Sequence, residues 1–307
     1  MEIIEVAPGR FKELFGDKSH VYNSVEFAEL NRGKADSLHY LVFADTKTRG
    51  GMILGRRGDV MCTPFSAPYG GIVAPRRLKT ETVDLIWVSA ADFARHAECS
   101  LRVTLPPTFV DPDLIAKSVN ALTQLGATAV ADINHHVDLA RAGSPAALFA
   151  MKSRNQLNQA QKLPYSFEKL DPTPANINRV YDVIVANHES RGFPVNMRLD
   201  DVVATAPIVG AEFFILTLDG IDVGAAQVHH PVAGMAQVIY WGDRPGFAPG
   251  RPMNMLAFKL FDYYMTRGAQ IVDIGISTER GVPNYGLCDF KEGVGCSPTV
   301  RWTFMML

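Results

Sequence analysis

The stretch DIGISTERGVPNYGLCDFKEGVG, residues 273–295, begins within the apolar run AQIVDIGIS, residues 269–277, which predicts a buried strand. After the predicted strand, glycines lie at positions 281, 286, 293 and 295. Because glycine tolerates conformations that other residues avoid, they predict sharp turns on both sides of Lys291. A lysine held between a rigid strand and tight turns is a candidate functional group. The alternative is a solvated helix lysine paired with Glu292 or Asp289.

Length and composition predict a globular chain with room for two domains. The chain has 307 residues, of which 47% are hydrophobic and 20% charged. Its formal net charge of −2 does not favour nucleic-acid binding through bulk electrostatics, although a local basic patch stays open.

Cysteine usage and hydropathy predict a cytoplasmic protein without a membrane span. The four cysteines show neither a CxxC spacing nor a histidine at metal-ligand spacing, which argues against zinc and favours a reducing compartment. The first residues, MEIIEVAPGRF, lack a basic segment followed by an apolar run, so no signal peptide is expected. No stretch approaches the roughly 18 apolar residues of a membrane helix.

The order of predicted elements repeats in the two halves of the chain. Strand, helix, antiparallel meander, helix and strand occur twice, which predicts an α+β fold although the halves share no convincing residue identity. A basic helical stretch, residues 144–163, lies between the halves. We therefore predict one domain over residues 1–150 and a second over residues 151–307, meeting in a cleft.

This order resembles the FemAB-like family of tandem GNAT acyltransferases, and the resemblance covers nearly the whole chain. It is most specific at SAPYGGI (66–72), MKSRNQLNQAQK (151–162) and residues 273–295. The resemblance implies two tandem GNAT-like domains, each a mixed, mostly antiparallel sheet flanked by helices. It also implies that the final strand, residues 296–307, can return to the first domain.

The same resemblance implies transfer of an acyl or aminoacyl group to an amine of a small molecule or peptide, without a metal or a permanently bound cofactor. The donor is either acyl-CoA or aminoacyl-tRNA, so tRNA is a possible partner, and the sequence leaves this choice and the oligomeric state open. In GNAT relatives a glycine-rich loop before a helix binds the donor's pyrophosphate. The matching candidates are Arg244, Gly246 and Gly250, but their spacing departs from that pattern, and Pro249 and Pro252 remove backbone donors.

Three residues are candidates for the chemistry. Lys291 lies where the resemblance puts a group that stabilises charge developing on the transferred carbonyl. Asp273 ends the apolar strand and can accept the amine proton, although such an aspartate more often orients the following loop. Tyr240 ends the meander, where a GNAT sheet splays open, so its hydroxyl can face the acyl group.

Further side chains are candidates for binding substrate. Arg154 has a planar guanidinium suited to phosphate or carboxylate, with an exposed helix face as the alternative. Tyr69 lies in a sharp turn that can present its ring, or simply packs there. The other candidates are Lys152, Asn155, Asn284 and Tyr285.

Two pairs of adjacent histidines, His135-His136 and His229-His230, attract attention as metal ligands. Adjacent residues in a strand point to opposite faces, so neither pair is expected to share a metal. The sequence also shows no Ser-His-Asp pattern, P-loop or dinucleotide-binding fingerprint. The rival to an acyltransferase is a degenerate tandem GNAT that binds a ligand or a protein without chemistry. A basic cleft containing Lys291 and Arg154 would favour the enzyme, and a cleft filled with apolar side chains would favour the rival.

Overall fold

Apolar, β-branched runs form the strands, and the amphipathic runs between them form the helices. The computed structural model describes residues 1–16, 20–141 and 143–307. The strands are β1 (Glu2–Glu5), β2 (Ser37–Ala44), β3 (Thr48–Arg57), β4 (Val60–Thr63), β5 (Ser100–Thr104), β6 (Thr128–Asp138), β7 (Tyr165–Leu170), β8 (Glu212–Leu218), β9 (Ile221–His229), β10 (Met235–Asp243), β11 (Ile271–Ile276), β12 (Thr278–Glu279), β13 (Val282–Pro283) and β14 (Ser297–Met306).

The more amphipathic helices carry an apolar stripe on one side and polar residues on the other, as surface helices do. They are α1 (Pro8–Phe15), α2 (Val25–Leu30), α3 (Thr80–His96), α4 (Pro112–Gln124), α5 (Pro145–Leu148), α6 (Met151–Ala160), α7 (Pro174–Ser190), α8 (Leu199–Val209), α9 (Pro252–Thr266) and α10 (Tyr285–Gly293).

The chain divides into two units. Unit 1 comprises Met1–Asn134, Thr278–Pro283 and Thr299–Leu307, and unit 2 comprises His135–Ser277 and Asn284–Pro298. The sequence placed the boundary near residue 150, which lies inside unit 2. In the structure the chain changes unit within β6, and a continuous strand leaves no composition shift for the sequence to show.

The sheet of unit 1 has the strand order β1-β2-β3-β4-β5-β14. The neighbours from β1 to β4 pair antiparallel, and so do β5 and β14, whereas β4 and β5 pair in parallel. The parallel pair needs a crossover, which contains α3. The last residues of the chain, Thr303–Met306, pair with β5, so they belong to the sheet of unit 1.

The sheet of unit 2 repeats this order. From β7 to β10 the neighbours pair antiparallel, and β10 and β11 pair in parallel through a crossover that contains α9. The part of β6 from His135 onward follows β11 in the strand order. Each unit therefore has the mixed, mostly antiparallel sheet flanked by helices that the sequence predicted.

Each unit has its own core. In unit 1 the buried residues Val83, Ile86, Trp87 and Ala90 of α3 recur at helical spacing and pack with buried residues of the sheet, among them Phe304 of β14. In unit 2 the buried face of α9 packs in a cluster with residues of β8, β9, β10 and β11. These cores fix the helices relative to the strands within each unit.

Two elements differ from the sequence-based expectation. Helix α8 was not predicted, because Pro207 inside it and its apolar composition obscure the amphipathic pattern. The segment around Lys291 forms α10, with Gly286 inside the helix instead of in a turn. Gly281 and Gly295 do adopt positive φ angles of 78° and 98°, so the sharp turns lie only at the outer pair of the predicted glycines.

We predict that truncating the buried phenyl ring of β14 destabilises unit 1. Phe304→Ala leaves a cavity in a fully buried position and should lower the free energy of unfolding by about 3 to 5 kcal/mol. Hydrogen exchange of the β5 amides measures this directly. Val300→Ala, at a half-exposed position of the same strand, is the control, and equal protection of β5 in both variants would contradict the assignment.

Candidate active site

The parallel pairing of β10 with β11 is short, and a pocket opens in unit 2 where it ends. The register joins Met235–Gln237 to Ile271–Asp273 and stops there. Beyond it lies a pocket of about 620 Å³. Its lining residues are Asn187, His188, Arg191, Phe193, Val238, Ile239, Tyr240, Trp241, Gly242, Met253, Ile274, Ile276, Asn284, Gly286, Leu287, Phe290 and Lys291. A pocket of this volume suits a small organic ligand.

A bulge in β10 sets which main-chain groups face the pocket. The register with β9 shifts between Val238 and Tyr240, so one extra residue is accommodated there. After the bulge, the N–H of Arg244 donates to the Val223 carbonyl at 2.9 Å, which places the even-numbered N–H groups toward β9. Because main-chain groups alternate along a strand, the N–H of Trp241 points to the opposite side, where the pairing with β11 has already ended.

Lys291 is buried, with 2% of its surface exposed, and it binds the end of β11. Its Nζ donates to the carbonyls of Ile274, Gly275 and Ile276 at 3.1, 2.9 and 2.9 Å. Successive carbonyls of a regular strand point to opposite sides, but Gly275 has a φ of 74°, which lets them converge. The alternative of a solvated lysine is therefore wrong. The ammonium fixes the strand end that forms one wall of the pocket.

Asp273 is fully buried and orders the same strand end. Its Oδ2 accepts a hydrogen bond from the Gln237 side-chain amide at 2.7 Å, and its Oδ1 accepts one from the Gly275 N–H at 3.0 Å. The first bond links β11 to β10 at the last paired residues, and the second stabilises the turn at Gly275. This geometry corresponds to the loop-orienting alternative. Asp273 does not line the pocket.

Tyr240 and His188 meet at one side of the pocket, with their rings edge to face and their centroids 5.5 Å apart. Burial raises the pKa of Tyr240, while main-chain hydrogen bonds from Met197 and Asn196 act in the opposite direction. Burial also lowers the pKa of His188, against a main-chain hydrogen bond with Pro194 that raises it. Among the described residues, Nδ1 of His188 is buried without a hydrogen-bond partner. His188 thus lines the pocket with a lowered pKa, which favours its uncharged form.

Asn187 also lines the pocket, and its side chain is hydrogen-bonded to Asp243. The amide of Asn187 donates to the main-chain carbonyl of Asp243 at 2.7 Å and to its Oδ1 at 2.9 Å. Arg191 approaches the same Oδ1 at 3.5 Å from an exposed position on the rim. Burial raises the pKa of Asp243. Gly242 is required here, because a Cβ would come within 2.6 to 2.8 Å of the Asn187 side chain.

Helix α10 forms another wall of the pocket, and Asn284 precedes it as the N-cap residue. The Asn284 side chain accepts a hydrogen bond from the Leu287 N–H at 3.1 Å, as an N-cap residue does. Asn284 lines the pocket, as predicted for a substrate-binding candidate, but Tyr285 is 75% exposed and does not line it.

The candidates of the basic helix lie elsewhere on unit 2. Arg154, Lys152 and Asn155 are exposed on α6 and are not among the pocket-lining residues. The guanidinium of Arg154 donates to the main-chain carbonyls of Phe149 and Ala147 at 2.9 and 3.3 Å. These bonds close the end of α5, so they give Arg154 a local structural role.

The loop matched to the pyrophosphate site is tied down by its own contacts. Nε of Arg244 donates to the Asp222 carbonyl at 2.8 Å, and the Gly250 carbonyl accepts from the Tyr165 hydroxyl at 2.9 Å. Gly246 lies between them with a φ of 94°. Helix α9 follows, with Pro252 as its first residue, which contributes no N–H.

In unit 1, Tyr69 is completely buried, with edge-to-face contacts to His20 and Tyr22. Its ring is part of the core, so the packing alternative describes it better than presentation to a substrate. Over the described ranges, no group of three or more His, Cys, Asp or Glu residues could hold a metal. Nor, within those ranges, is any helix long and apolar enough to cross a membrane.

Comparison with known proteins gives the fold. No family model matches the chain, and no curated protein does. The crystal structure of FemX is similar with a TM-score of 0.70 and 12% identity, covering 100% of this chain and 98% of that one. L-PGS from Bacillus licheniformis gives 0.62 and 13%, covering 97% of this chain and 90% of that one. A tandem GNAT protein from the clavulanic acid biosynthesis pathway gives 0.57 and 15%, covering 100% and 98%.

These likenesses confirm the fold predicted from the sequence. The chain is a mixed α/β protein with the tandem GNAT architecture shared by FemX. Its site follows from that architecture, because each unit contains a parallel strand pair with a crossover helix, and in unit 2 that pair opens into the pocket. The roles of the individual site residues, the donor and the acceptor stay predictions.

We predict that Lys291 contributes strongly to stability. Lys291→Met leaves three carbonyls of β11 without their shared donor and should lower the free energy of unfolding by about 2 to 3 kcal/mol. Urea unfolding followed by circular dichroism measures the change. Lys152→Met, at an exposed lysine of the same unit, is the control and should change stability by less than about 0.5 kcal/mol. Equal midpoints for both variants would show that the ammonium does not hold the strand end.

Proposed function

We propose that unit 2 transfers an acyl or aminoacyl group from an activated donor to an amine, in the pocket between β10 and β11. The observation that carries this proposal is the divergence of the two strands after Gln237 and Asp273, which opens a 620 Å³ pocket beside unpaired main chain of β10. Here a flat acyl group can lie between the strands with its carbonyl toward the N–H of Trp241. A main-chain donor at that position is suited to stabilise an oxyanion.

The reaction needs no metal or redox partner. The lone pair of a neutral amine attacks the carbonyl carbon, and the carbonyl oxygen becomes an oxyanion that the Trp241 N–H stabilises. The bond from this carbon to the sulfur or oxygen of the donor then breaks, and the leaving group departs with the electron pair. The amine nitrogen loses one proton, and the leaving group gains one. The pocket contributes orientation by holding donor and acceptor together.

His188 is the residue best suited to accept the amine proton. Its imidazole lines the pocket, its pKa is lowered by burial, and its Nδ1 is without a protein partner among the residues described. A neutral histidine beside a pocket acts as a general base near neutral pH. Tyr240 supports the ring through the edge-to-face contact and keeps its own proton, because burial raises its pKa.

For Lys291 we propose an indirect role in place of the direct one that the sequence predicted. Its three hydrogen bonds to carbonyls engage as many N–H donors as an ammonium has, so a substrate oxygen would have to displace one of them. Its positive charge still lies at the pocket wall and favours negative charge developing nearby. Asp273 acts with it by fixing the strand end.

The carrier of the acyl group is either coenzyme A or tRNA. Arg244, Gly246 and Gly250 lie in the loop before α9, where a donor's pyrophosphate would be expected, but the first and last of them are engaged by Asp222 and Tyr165. A pyrophosphate needs N–H donors, and the N–H of Gly250 already donates to the Phe247 carbonyl at 3.0 Å, which argues against a pyrophosphate at that loop. The acceptor is an amine of a small molecule or peptide, and the reaction takes place in the cytoplasm.

Ligand binding without chemistry is the second candidate function. Two observations favour it: Lys291 is engaged by main-chain carbonyls, and Arg154 does not line the pocket. Binding of an acyl compound in the pocket without release of its thiol or tRNA leaving group would identify this alternative.

We predict that a bulky residue at the pocket mouth abolishes transfer without unfolding the protein. Gly286 lies in α10 and lines the pocket, and a Cβ there meets only Oδ1 of Asn284, at 3.8 Å. Gly286→Trp should lower the rate about a hundredfold, because it displaces the reacting groups. The rate is measured as thiol release from a panel of acyl-CoA thioesters with a primary amine, and by mass spectrometry of the amide. Gly286→Ala is the control and should retain activity.

Aminoacyl-tRNA is assayed in parallel with the same variants. If one of the donors is consumed at equal rates by the wild-type and Gly286→Trp proteins, the reaction does not occur in this pocket. If none is consumed by the wild-type protein although acyl compounds bind, the ligand-binding alternative replaces the enzyme.

We predict that His188 sets the acid limb of the pH–rate profile. Because burial lowers its pKa, the basic form persists below the ordinary value of 6.5, and the rate should fall only as the pH drops below that value. His188→Gln should lower the rate about a hundredfold and abolish this limb. His96→Gln, at an exposed histidine of unit 1, should leave the profile unchanged. An unchanged acid limb in His188→Gln would assign the proton to another group.

A further inference from the structure

The charged side chains that line the pocket are both cationic. Arg191 lies on its rim, and Lys291 lies buried in its wall. Among the residues that the structure describes, no aspartate or glutamate belongs to the lining. A bound ligand therefore meets no carboxylate in the lining itself.

One carboxylate adjacent to this lining along the chain, that of Asp243, is already engaged. Its Oδ1 accepts from Asn187 at 2.9 Å and lies 3.5 Å from a guanidinium nitrogen of Arg191. Burial also raises the pKa of Asp243. Asp243 thus holds the pocket wall together and leaves no acidic group for a ligand's ammonium.

The remaining polar side chains of the lining are also largely occupied. Lys291 binds the three carbonyls of β11, Asn187 binds Asp243, and Asn284 caps α10. Between them the wall is aromatic and aliphatic. Trp241 and Phe290 meet edge to face with centroids 5.9 Å apart, and Ile276 adds a branched side chain. Such a surface gains free energy by burying apolar area.

An aminoacyl group and a simple acyl group differ at one point, the α-ammonium next to the carbonyl. In this pocket that ammonium would lose water, find no carboxylate and lie near two cations, all of which weaken binding. From this arrangement we propose that the acyl group accepted by unit 2 is uncharged and apolar, with an aromatic or branched chain and no free α-ammonium. The proposal rests on the proposed function, because it names the substrate class of the same pocket.

Two small amides test this preference by binding alone, without a reaction. They are 3-phenylpropanamide and L-phenylalaninamide, which share one skeleton and differ only in the α-amine. At about pH 6 that amine is charged, since an α-amino group has a pKa of about 7.7 to 8.0. Calorimetric titration of the full chain should show 3-phenylpropanamide binding more than about tenfold tighter. At about pH 9, where the amine is neutral, the difference should fall to less than about threefold.

The ionisable groups facing a ligand are His188 from α7, Arg191 directly after that helix, Tyr240 from β10 and Lys291 from α10. Burial lowers the pKa of His188 from its ordinary value, which favours the uncharged imidazole, and raises the pKa of Tyr240, which favours the protonated phenol. The recovery at high pH therefore reports the probe's own amine. At about pH 9 both probes are again titrated into the same protein, so their affinities can be compared directly.

A carboxylate placed in the lining should reverse the preference. Leu287→Asp puts one on α10, and at about pH 6 it should make L-phenylalaninamide the tighter probe. Leu287→Asn has the same shape without the charge and should keep the wild-type order. Circular dichroism first confirms that both variants are folded, and the wild-type comparison stands independently of them.

The outcomes separate this inference from the proposed function. Tighter binding of 3-phenylpropanamide at about pH 6 supports the inference even if the protein transfers no acyl group in the donor assay. Equal binding of the probes, tighter binding of L-phenylalaninamide, or no binding of either would overturn it, whatever the donor assay shows.

Discussion

Three successive main-chain carbonyls at the end of β11 converge on one buried ammonium, and the rest of the site depends on this contact. Without Lys291, the carbonyls of Ile274, Gly275 and Ile276 would lose the donor that they share at the end of β11. Lys291 supplies the donor from α10, so the helix and the strand end are held as one wall. The left-handed conformation of Gly275 makes the convergence possible, and Asp273 stabilises that turn through the Gly275 N–H.

The pairing of β10 with β11 stops at Gln237 and Asp273, before β11 ends at Ile276, so β10 has no partner on that side beyond this point. The Gln237–Asp273 hydrogen bond marks the last joined position, and the bulge that follows turns β10 so that Trp241 presents its N–H beside the pocket. Unpaired N–H and C=O groups at a strand edge are a liability in a sheet. Their presence along β10 inside unit 2 therefore indicates a functional purpose. Here the opening is bordered by a histidine whose pKa is lowered by burial, an aromatic wall and two cations, a combination suited to a flat apolar acyl group.

The sequence predicted the architecture well because the hydrophobic pattern records it. The repeated order of strands and helices and the FemAB-like segments predicted the tandem GNAT fold that the FemX comparison confirms. Lys291 was identified as unusual because it follows a buried strand and an aromatic residue. Its partners were not predictable, because they are main-chain carbonyls whose direction depends on the conformation of Gly275.

Other features required the structure for similar reasons. The change of unit inside β6 and the bulge in β10 leave no mark on hydropathy. His188 is a single histidine within a helical pattern, and only the fold places it against Tyr240. Tyr69 and Arg154 were attractive by residue type, but packing and local carbonyls account for them. Residue type alone does not distinguish a side chain that faces a ligand from one that packs in the core or hydrogen-bonds to main-chain carbonyls.

The central claim is that an acyl carbonyl binds beside the main chain of β10 in unit 2, and selective isotope labelling tests it most directly. The chain has three tryptophans, of which Trp87 and Trp302 belong to unit 1 and Trp241 lines the pocket. In a ¹⁵N-tryptophan sample, titration with 3-phenylpropanamide should shift the backbone amide of Trp241 and leave the other two unchanged. A saturable shift at Trp87 or Trp302 with none at Trp241 would contradict the account.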